Sequence, residues 1–331
     1  MKGLELSKRF YEAVGYPMLE KEFPQYLNHI AAGLSGEGSE CFGFDDVISQ
    51  DHDYGARFCL WLPDELYKEI GPQMQHAYEN LPNTFLGYPV LKDTAAGGAK
   101  RSGVFSIDNF YRCILGNRFL PEKEIDWFCF RESALAAATN GEIFSDPSGV
   151  FTAVRNKLQN YYPENVRLKK LAVCLGYMAQ TGQVNYARSM SRRDFFTAAL
   201  CISEFIRAAL SALYLMNRRY MPYYKWAKAG LKDAPILSQS VLLLEKLQQT
   251  ELQKEVWNTD SSNSTALNLS DTRVQLIESF CKMLVLEMNQ QGLTDSDEVF
   301  LNVQIPHIYH HITSPEILQI PLRLPEFQLQ N

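Results

Sequence analysis

The sequence lacks the features that mark secreted, disulfide-rich and membrane proteins. Its seven cysteines include no CxxC pair and form an odd number, which favours a reducing compartment over a disulfide framework. The first residues hold no apolar run of the signal-peptide type, and no uninterrupted apolar stretch is long enough to span a bilayer. We therefore expect a cytoplasmic protein with no membrane partner.

The chain also lacks internal repeats and any low-complexity bias. With 331 residues, 46% hydrophobic and 21% charged, it has an ordinary globular composition and the length for two domains. Its charge is uneven: residues 150–232 hold 14 Lys and Arg against 3 acids, residues 1–149 hold 13 against 22, and residues 233–331 hold 5 against 13. The basic middle predicts either an anionic ligand or a solvated surface that pairs with acidic flanks.

The hydrophobic pattern predicts an α+β protein. "HIAAGLSG" predicts a buried strand that ends in a turn, and "DHDYGARFCLWLP" predicts a strand stopped by Pro63. A helix is expected to begin after Pro63 and to break at Gly71-Pro72. From about residue 120 onward, nearly every segment has helical spacing. We predict a small α/β domain over residues 1–145 and an all-α domain over residues 146–331, divided near "GEIFSDPSG".

A glycine-rich turn precedes a pair of aspartates by eleven residues: Gly38-Ser39, then Asp51-His52-Asp53. Alternate residues of a strand share a face, so a strand here would place Asp51 and Asp53 about 7 Å apart at their Cα atoms. Two such carboxylates suit Mg²⁺, with Mn²⁺ as the alternative, and metals there would align an attacking oxygen with a leaving phosphate. The turn would offer N–H groups to a phosphate, with Gly38 allowing close approach and Ser39 adding a hydroxyl donor.

This arrangement resembles the signature of the DNA polymerase β-like nucleotidyltransferase superfamily: a hydrophobic residue, Gly, Gly or Ser, a short spacer, then Asp-x-Asp or Asp-x-Glu. The longer stretch "GEGSECFGFDDVISQDHDYG" is similar to a minimal-nucleotidyltransferase branch, the DUF4037 domain family. The resemblance continues through "NGEIFSD", "YYPEN", "GQVNYAR" and "LYLMNRRYMPYYKW", roughly residues 5–230. Membership implies a mixed-sheet nucleotidyltransferase core, Mg²⁺, and transfer of a nucleoside monophosphate from an NTP, ATP being the first choice, with release of pyrophosphate.

One departure from the family concerns a third carboxylate, which many members carry on a later strand. The corresponding strand here, residues 103–107, holds no acid, and Asp108 follows it directly. Asp108 is therefore either the third catalytic carboxylate or the N-cap of the next helix. Without a third acid, no residue is assigned to deprotonate the acceptor hydroxyl.

Two later segments supply candidate nucleotide-binding residues. Gln183, Asn185 and Arg188 stand near an expected helix start, where amides suit a base or sugar and Arg suits phosphate. The alternative is helix capping and solvation. Lys225 stands among aromatic residues and would neutralise phosphate charge; the alternative is a lysine whose stem covers an aromatic core.

The sequence thus predicts a Mg²⁺-dependent nucleotidyltransferase whose acceptor is open. The acidic N-terminal part favours a cationic small molecule such as an aminoglycoside-like antibiotic, and the basic middle favours tRNA. A protein side chain is a further acceptor, and cyclic-nucleotide synthesis is a less favoured reaction. The net charge of −6 argues weakly against extensive nucleic-acid binding. The alternative class is a non-catalytic nucleotide-binding regulatory module, supported mainly by the unassigned third acid.

Overall fold

The structure, a computed structural model, describes residues 1–48, 54–92, 100–118, 120–257 and 267–322. The chain divides into two units: an N-terminal unit of residues 1–122 with 130–161, and a helical unit of residues 123–129 with 162–331. The division after residue 161 differs from the one expected near residue 145. The reason is that the helix Val150–Gln159 packs within the N-terminal unit, where the ring of Phe151 stacks on Trp61 at 3.9 Å between centroids.

The N-terminal unit is built around a small mixed sheet, as the α+β prediction requires. Its strands and helices, in chain order, are α1 (Gly3–Phe10), α2 (Tyr16–Glu22), β1 (Ala31–Leu34), β2 (Cys59–Leu62), α3 (Asp64–Glu79), β3 (Thr84–Phe85), β4 (Tyr88–Pro89), β5 (Gly103–Ser106), α4 (Ile107–Ile114), α5 (Glu132–Thr139), β6 (Glu142–Ser145) and α6 (Val150–Gln159). A π-helical turn, Tyr11–Gly15, joins α1 to α2.

Among the described residues, the main sheet has the strand order β5-β2-β1-β6. β1 is antiparallel to β2 and β6, whereas β2 is parallel to β5. Since β2 and β5 run against β1, the edge at which β1 ends is the edge at which β2 and β5 begin. The turn after Leu34 therefore lies at the same edge as the residues that precede Cys59 and Gly103.

The central strands form from short apolar runs because both faces of the sheet are covered. Every residue of β1, β2 and β5 is buried. Leu6 and Phe10 of α1 and Met74 of α3 are fully buried in the same core as Leu60 of β2. Hydrophobic burial on both faces thus explains why these strands show little alternation.

Three local predictions are wrong in detail. The strand predicted from "DHDYGARFCLWLP" begins only at Cys59, and residues 54–58 are not part of β2. α3 runs unbroken through Gly71-Pro72, because its apolar face is buried beneath the sheet. The N-cap of α4 is Ser106, not Asp108: the Ser106 hydroxyl accepts the Asn109 N–H at 3.1 Å.

The helical unit has no β-strand among its described residues. Its helices are α7 (Glu164–Met178), α8 (Tyr186–Ser191), α9 (Phe195–Met216), α10 (Tyr224–Ala227), α11 (Val241–Gln249), α12 (Thr272–Gln290), α13 (Leu301–His310) and α14 (Pro315–Gln319). A π-helical segment, Ala179–Asn185, continues α7 into α8.

α9 is the central helix of the helical unit and packs against α7, α8 and α11. It is long and apolar enough to cross a membrane by length and composition, although Glu204 and Arg207 interrupt its apolar sequence, as the absence of an uninterrupted apolar stretch requires. Of its most apolar window, 56% is buried inside the structure, as is usual for the core helix of a soluble protein.

Candidate functional site

The turn that follows β1, residues 35–39 (the glycine turn), depends on Gly36 for its shape. Gly36 has a φ of +130°, a conformation that residues with side chains rarely adopt. The Gly38 N–H donates to the Gly36 carbonyl at 3.1 Å and closes the turn. A short 3₁₀ helix, Glu40–Phe42, follows with Ser39 as its N-cap, which confirms the expected helix start. The Ser39 N–H has no acceptor among the described residues and is free to meet an anion.

The side-chain amide of Asn140 holds the glycine turn from the neighbouring segment. Its Nδ2 donates to the Gly36 carbonyl at 2.8 Å, and its Oδ1 accepts the Gly36 N–H at 2.9 Å. The buried Ser35 hydroxyl also donates to Asn140 Oδ1 at 3.2 Å. Next to it, the Gly141 N–H donates to the Cys41 carbonyl at 2.8 Å. The Asn140-Gly141 pair thus holds both ends of the turn.

A cavity of about 40 Å³ lies beside the glycine turn, within the N-terminal unit. That volume has room for about three water-sized groups. The lining combines turn residues, three cations and an apolar wall: Leu34, Ser35, Gly36, Glu37, Gly38, Cys41, Arg57, Lys100, Arg101, Phe105, Phe110, Cys113 and Ile114. Positive charge next to glycine-rich backbone is the usual environment of a bound phosphate.

Arg57 is the most deeply buried of the three cations, with 4% of its surface exposed. Its guanidinium donates to the carboxylate of Glu40, which lies just beyond the glycine turn. Burial acts to lower the pKa of Arg57, but the charge and hydrogen bond of Glu40 outweigh it, and the net shift is upward. Arg57 is therefore a permanent cation that lines the cavity, anchored by a mostly buried carboxylate.

Lys100 and Arg101 enter the cavity from the segment that precedes β5. The Lys100 ammonium donates to Gln75 Oε1 and to the Val104 carbonyl, both at 2.8 Å, and lies 4.7 Å from the centroid of the Phe105 ring. These contacts fix the position of the Lys100 charge. The structure thus brings both cations to the glycine turn.

The expected phosphate-binding and metal-binding residues have different outcomes. Gly38 lines the cavity, but the Glu40 carboxylate lies against its Cα, so a β-carbon at this position would overlap that carboxylate. Ser39 starts the 3₁₀ helix beside the cavity. Asp51 and Asp53 lie outside the described residues, so their predicted catalytic and metal-binding roles stay predictions.

Asp108 lies at the far end of β5 from the glycine turn. β5 begins at the cavity edge with Gly103, and Asp108 follows its last residue on the first turn of α4. The Asp108 carboxylate accepts from Arg112 Nε at 2.5 Å, a contact between successive helical turns. The geometry separates Asp108 from the cavity, and its role as third carboxylate stays a prediction.

Gln183 uses its amide inside the helical unit. It lies in the π-helical segment, not at a helix start as expected. Its Nε2 donates to both carboxylate oxygens of Glu278 and to the Val299 carbonyl, each at 3.1 Å, and its Oε1 accepts the Leu301 N–H at 3.0 Å. Both amide hydrogens are occupied, which gives Gln183 a structural role. Its predicted contact with a nucleotide would require these bonds to break.

Asn185 and Arg188 share a cavity of about 290 Å³ in the helical unit, near the lower end of the usual ligand-pocket range. Asn185 ends the π-helical segment, a feature frequent at functional sites, and Arg188 lies on α8. Polar groups of Tyr177, Gln180 and Asn302 join them. Arg188 is exposed and forms no ion pair with any described residue. These two predicted residues thus meet in one place.

Lys225 lies apart from the described cavities. It stands on the short helix α10, exposed, with its ammonium 4.5 Å from the centroid of the Trp226 ring. The rings of Tyr223 and Tyr224 contact each other at 4.4 Å between centroids. This is the arrangement expected of a lysine on an aromatic surface, and the nucleotide contact of Lys225 stays a prediction.

Sequence reasoning missed Arg57 and Asn140. Arg57 stands between apolar residues in "GARFCLW", and an isolated charge in an apolar run is the signal that would have found it. Asn140 belongs to an Asn-Gly pair that follows a helical pattern, and such a helix-stop signal does not reveal where the amide points. Within the described ranges, no group of three His, Cys, Asp or Glu is placed to hold a metal ion.

Comparisons with known proteins bear on the C-terminal part of the resemblance. Residues 127–227 match the family model described as "Domain of unknown function (DUF4037)". A solved "nucleotidyltransferase-like protein from Exiguobacterium sibiricum 255-15" is 12% identical, with 95% of this chain and 87% of that chain covered and a TM-score of 0.37. A score of this size does not establish a shared fold. No curated protein matches the chain. The DUF4037 resemblance is thus confirmed for residues 127–227, which include Asn185, Arg188 and Lys225.

Proposed function

We propose that this protein is a nucleotidyltransferase that moves a nucleoside monophosphate from an NTP, ATP being the first choice, to an acceptor hydroxyl and releases pyrophosphate. The main support for this proposal is the cavity beside the glycine turn, which is lined by Arg57, Lys100 and Arg101 together with residues 36–38. Fixed cations beside glycine-rich backbone suit a phosphate group of the NTP. The Gly38-Ser39 and Asp51-x-Asp53 resemblance supplies the reaction type.

Asp51 and Asp53 are the residues that we propose to hold Mg²⁺ or Mn²⁺. Carboxylate oxygens are the ligands that these ions prefer, so the chemistry of the donor pair fits. A bound ion would neutralise phosphate charge during transfer. Arg57 and Lys100 would also neutralise phosphate charge from the cavity side. Their positions are fixed before any ligand arrives, because Glu40 holds Arg57 and Gln75 holds Lys100. Catalysis would then rest on positioning and on preorganised charge.

Asn185 and Arg188 are proposed as nucleotide-binding residues within the helical unit itself. The amide and the guanidinium line the same cavity, and the pair suits a phosphate or a sugar hydroxyl. We propose a cytoplasmic location. The acceptor hydroxyl is proposed to belong to one of three classes: a small molecule, a tRNA or a protein side chain. The exposed Tyr224 and Lys225 are the further residues that we would test for acceptor binding.

The test follows label from α-³²P-labelled NTPs in the presence of Mg²⁺, with and without cell extract. The intact protein should transfer label to an extract component and release pyrophosphate, and the labelled species identifies the acceptor class. The Asp51→Ala/Asp53→Ala variant should lose transfer. Asp108→Asn is the matched single carboxylate change: because Asp108 pairs with Arg112, we expect it to retain transfer within about threefold of the intact protein.

Two results would contradict the proposal. If nucleotide binds but no NTP releases pyrophosphate, the regulatory-module alternative replaces it. If no nucleotide binds at all, the cavity beside the glycine turn has another ligand. A large loss of transfer in Asp108→Asn would instead restore Asp108 as the third carboxylate.

A further inference from the structure

A buried arginine, Arg155 on α6, lies behind the glycine turn. Only 6% of its surface is exposed, and among the described residues it forms no ion pair and its Nη1 has no hydrogen-bond partner. Its Nη2 donates to the Thr139 carbonyl at 2.9 Å and to the Gly141 carbonyl at 3.3 Å. Burial lowers the pKa of the Arg155 guanidinium, which shows how far this charge is removed from water.

The two carbonyls that Arg155 holds flank Asn140 on either side. Asn140 in turn holds the N–H and the carbonyl of Gly36 with one planar amide. Gly141 has a φ of +70°, and a β-carbon there would overlap the Leu34 carbonyl, so the backbone at this point lies directly against the end of β1. A continuous set of contacts therefore runs from Arg155 through Asn140 to Gly36.

A buried unpaired charge is costly, and a helix end does not require one, because water or a neutral donor satisfies terminal carbonyls equally well. What Arg155 adds is rigidity: one planar guanidinium fixes two carbonyls that are two residues apart. With residues 139 and 141 fixed, the Asn140 side chain is aimed at Gly36. The turn must hold its unusual φ at Gly36 to keep its backbone in this arrangement beside the cavity.

We propose that Asn140 and Arg155 are positioning residues that hold the glycine turn in its phosphate-binding shape, an inference that rests on the proposed function. Asn140 fixes Gly36 directly, and Arg155 acts through the Asn140-Gly141 backbone. Neither residue touches the nucleotide. Both are needed for the turn to keep one backbone arrangement beside the cavity before a ligand arrives.

The first measurement is hydrogen exchange of the backbone amides of residues 34–42 in the full-length protein without ligand. Asn140→Ala removes both hydrogen bonds to Gly36 and should speed exchange there by at least about tenfold, since one lost hydrogen bond can account for up to about that factor. Arg155→Met should give a smaller acceleration, and Arg155→Lys, which keeps the charge, should recover part of it. Asn80→Asp and Lys157→Met are the matched controls: Asn80 donates to the His76 carbonyl, and Lys157 is exposed on the same helix as Arg155.

The second measurement is binding of pyrophosphate and ATP, with Mg²⁺, by titration calorimetry. Asn140→Asp keeps the size and the acceptor oxygen but loses the donor to the Gly36 carbonyl. It should weaken binding by at least about tenfold while thermal unfolding changes little. In steady-state kinetics the loss should appear in KM for the NTP more than in kcat.

The outcomes separate this inference from the proposed function. Unchanged exchange at residues 34–42 in Asn140→Ala would overturn the positioning role. Faster exchange with unaltered ligand binding would overturn it as well, and would leave Asn140 as a purely structural contact. If the intact protein binds neither ligand, the proposed function fails. Faster exchange would then show that Asn140 holds the turn, but its role in phosphate binding would be overturned too.

Discussion

The two units use their buried cations in different ways. In the helical unit, Arg167 and Lys169 are almost fully buried, yet each is satisfied internally, the first by Glu164 and the second by the Tyr309 hydroxyl at 2.8 Å. In the N-terminal unit, Arg57 and Lys100 are also paired, with Glu40 and Gln75, but they reach one cavity together with Arg101. The more basic segment of the sequence is thus not the one in which the cations converge. Pairing and placement locate an anion site better than net charge does.

The largest effect is expected when Arg57 is removed. Arg57→Met leaves the mostly buried Glu40 carboxylate without its cation, which should reduce the free energy of unfolding by about 3–5 kcal/mol. Pyrophosphate binding should be lost as well. Denaturant unfolding and calorimetry measure the two effects.

A double variant separates stability from binding at this position. Arg57→Met/Glu40→Gln removes both charges, so much of the lost stability should return while pyrophosphate binding stays weak. If binding returned together with stability, Arg57 would be a structural cation like Arg167, and the contrast between the units would disappear.

The next largest effect concerns the glycine turn. Gly36→Ala forces a β-carbon onto a φ of +130°, which should cost about 1–3 kcal/mol and weaken phosphate binding. Gly87→Ala is the matched control, because Gly87 also has a positive φ, +82°, and open space around it, but lies away from the turn in the β3–β4 hairpin. It should lose stability without losing binding, as thermal unfolding and calorimetry would show. Equal binding in the two variants would contradict the assignment.

The sequence predicted the strands that are defined by local pattern. The pattern of "HIAAGLSG" correctly predicted β1, because a short apolar run that ends in glycine and serine is typical of a buried strand. The helix start after Pro63 is also correct. The helical break at Gly71-Pro72 was wrong because local propensity was outweighed by burial of Ile70, Met74 and Tyr78 on one face.

The candidate site was less accessible to sequence reasoning, since it is made by contacts between distant segments. Asn140 meets Gly36 only because β6 pairs with β1, and "GEIFSD" shows no alternation that would identify it as a strand of the first sheet. Arg57 meets Glu40 through the same topology. The motif predicted a phosphate site at the glycine turn, which stays a prediction, but it did not predict which cations and amides surround this turn.

A smaller effect is expected when Arg188, an exposed arginine of the helical unit, is replaced. Arg188→Met should leave stability within about 0.5 kcal/mol, as is usual for an exposed side chain, because Arg188 forms no ion pair with a described residue. Nucleotide or acceptor binding should weaken severalfold. Arg207→Met, which removes an exposed arginine paired with Glu204, is the control and should leave binding unchanged. Calorimetry that showed equal affinities for both variants would remove Arg188 from the site.

The smallest expected effect tests whether the helical unit satisfies its own cations. Burial acts to raise the pKa of Glu164, but the hydrogen bonds and charges of Arg167 and Arg218 outweigh it and hold this pKa below its ordinary value of 4.5. A depressed carboxyl pKa gives stability that is present above pH 4.5 and is lost as the pH falls through the folded-state pKa. The free energy of unfolding, measured with denaturant from pH 7 to pH 3, should therefore fall less steeply for Glu164→Gln than for the intact protein. Glu204→Gln, at an exposed pair, should follow the intact protein. If Glu164→Gln followed it too, Arg167 would be a buried cation without internal compensation, and the two units would no longer differ.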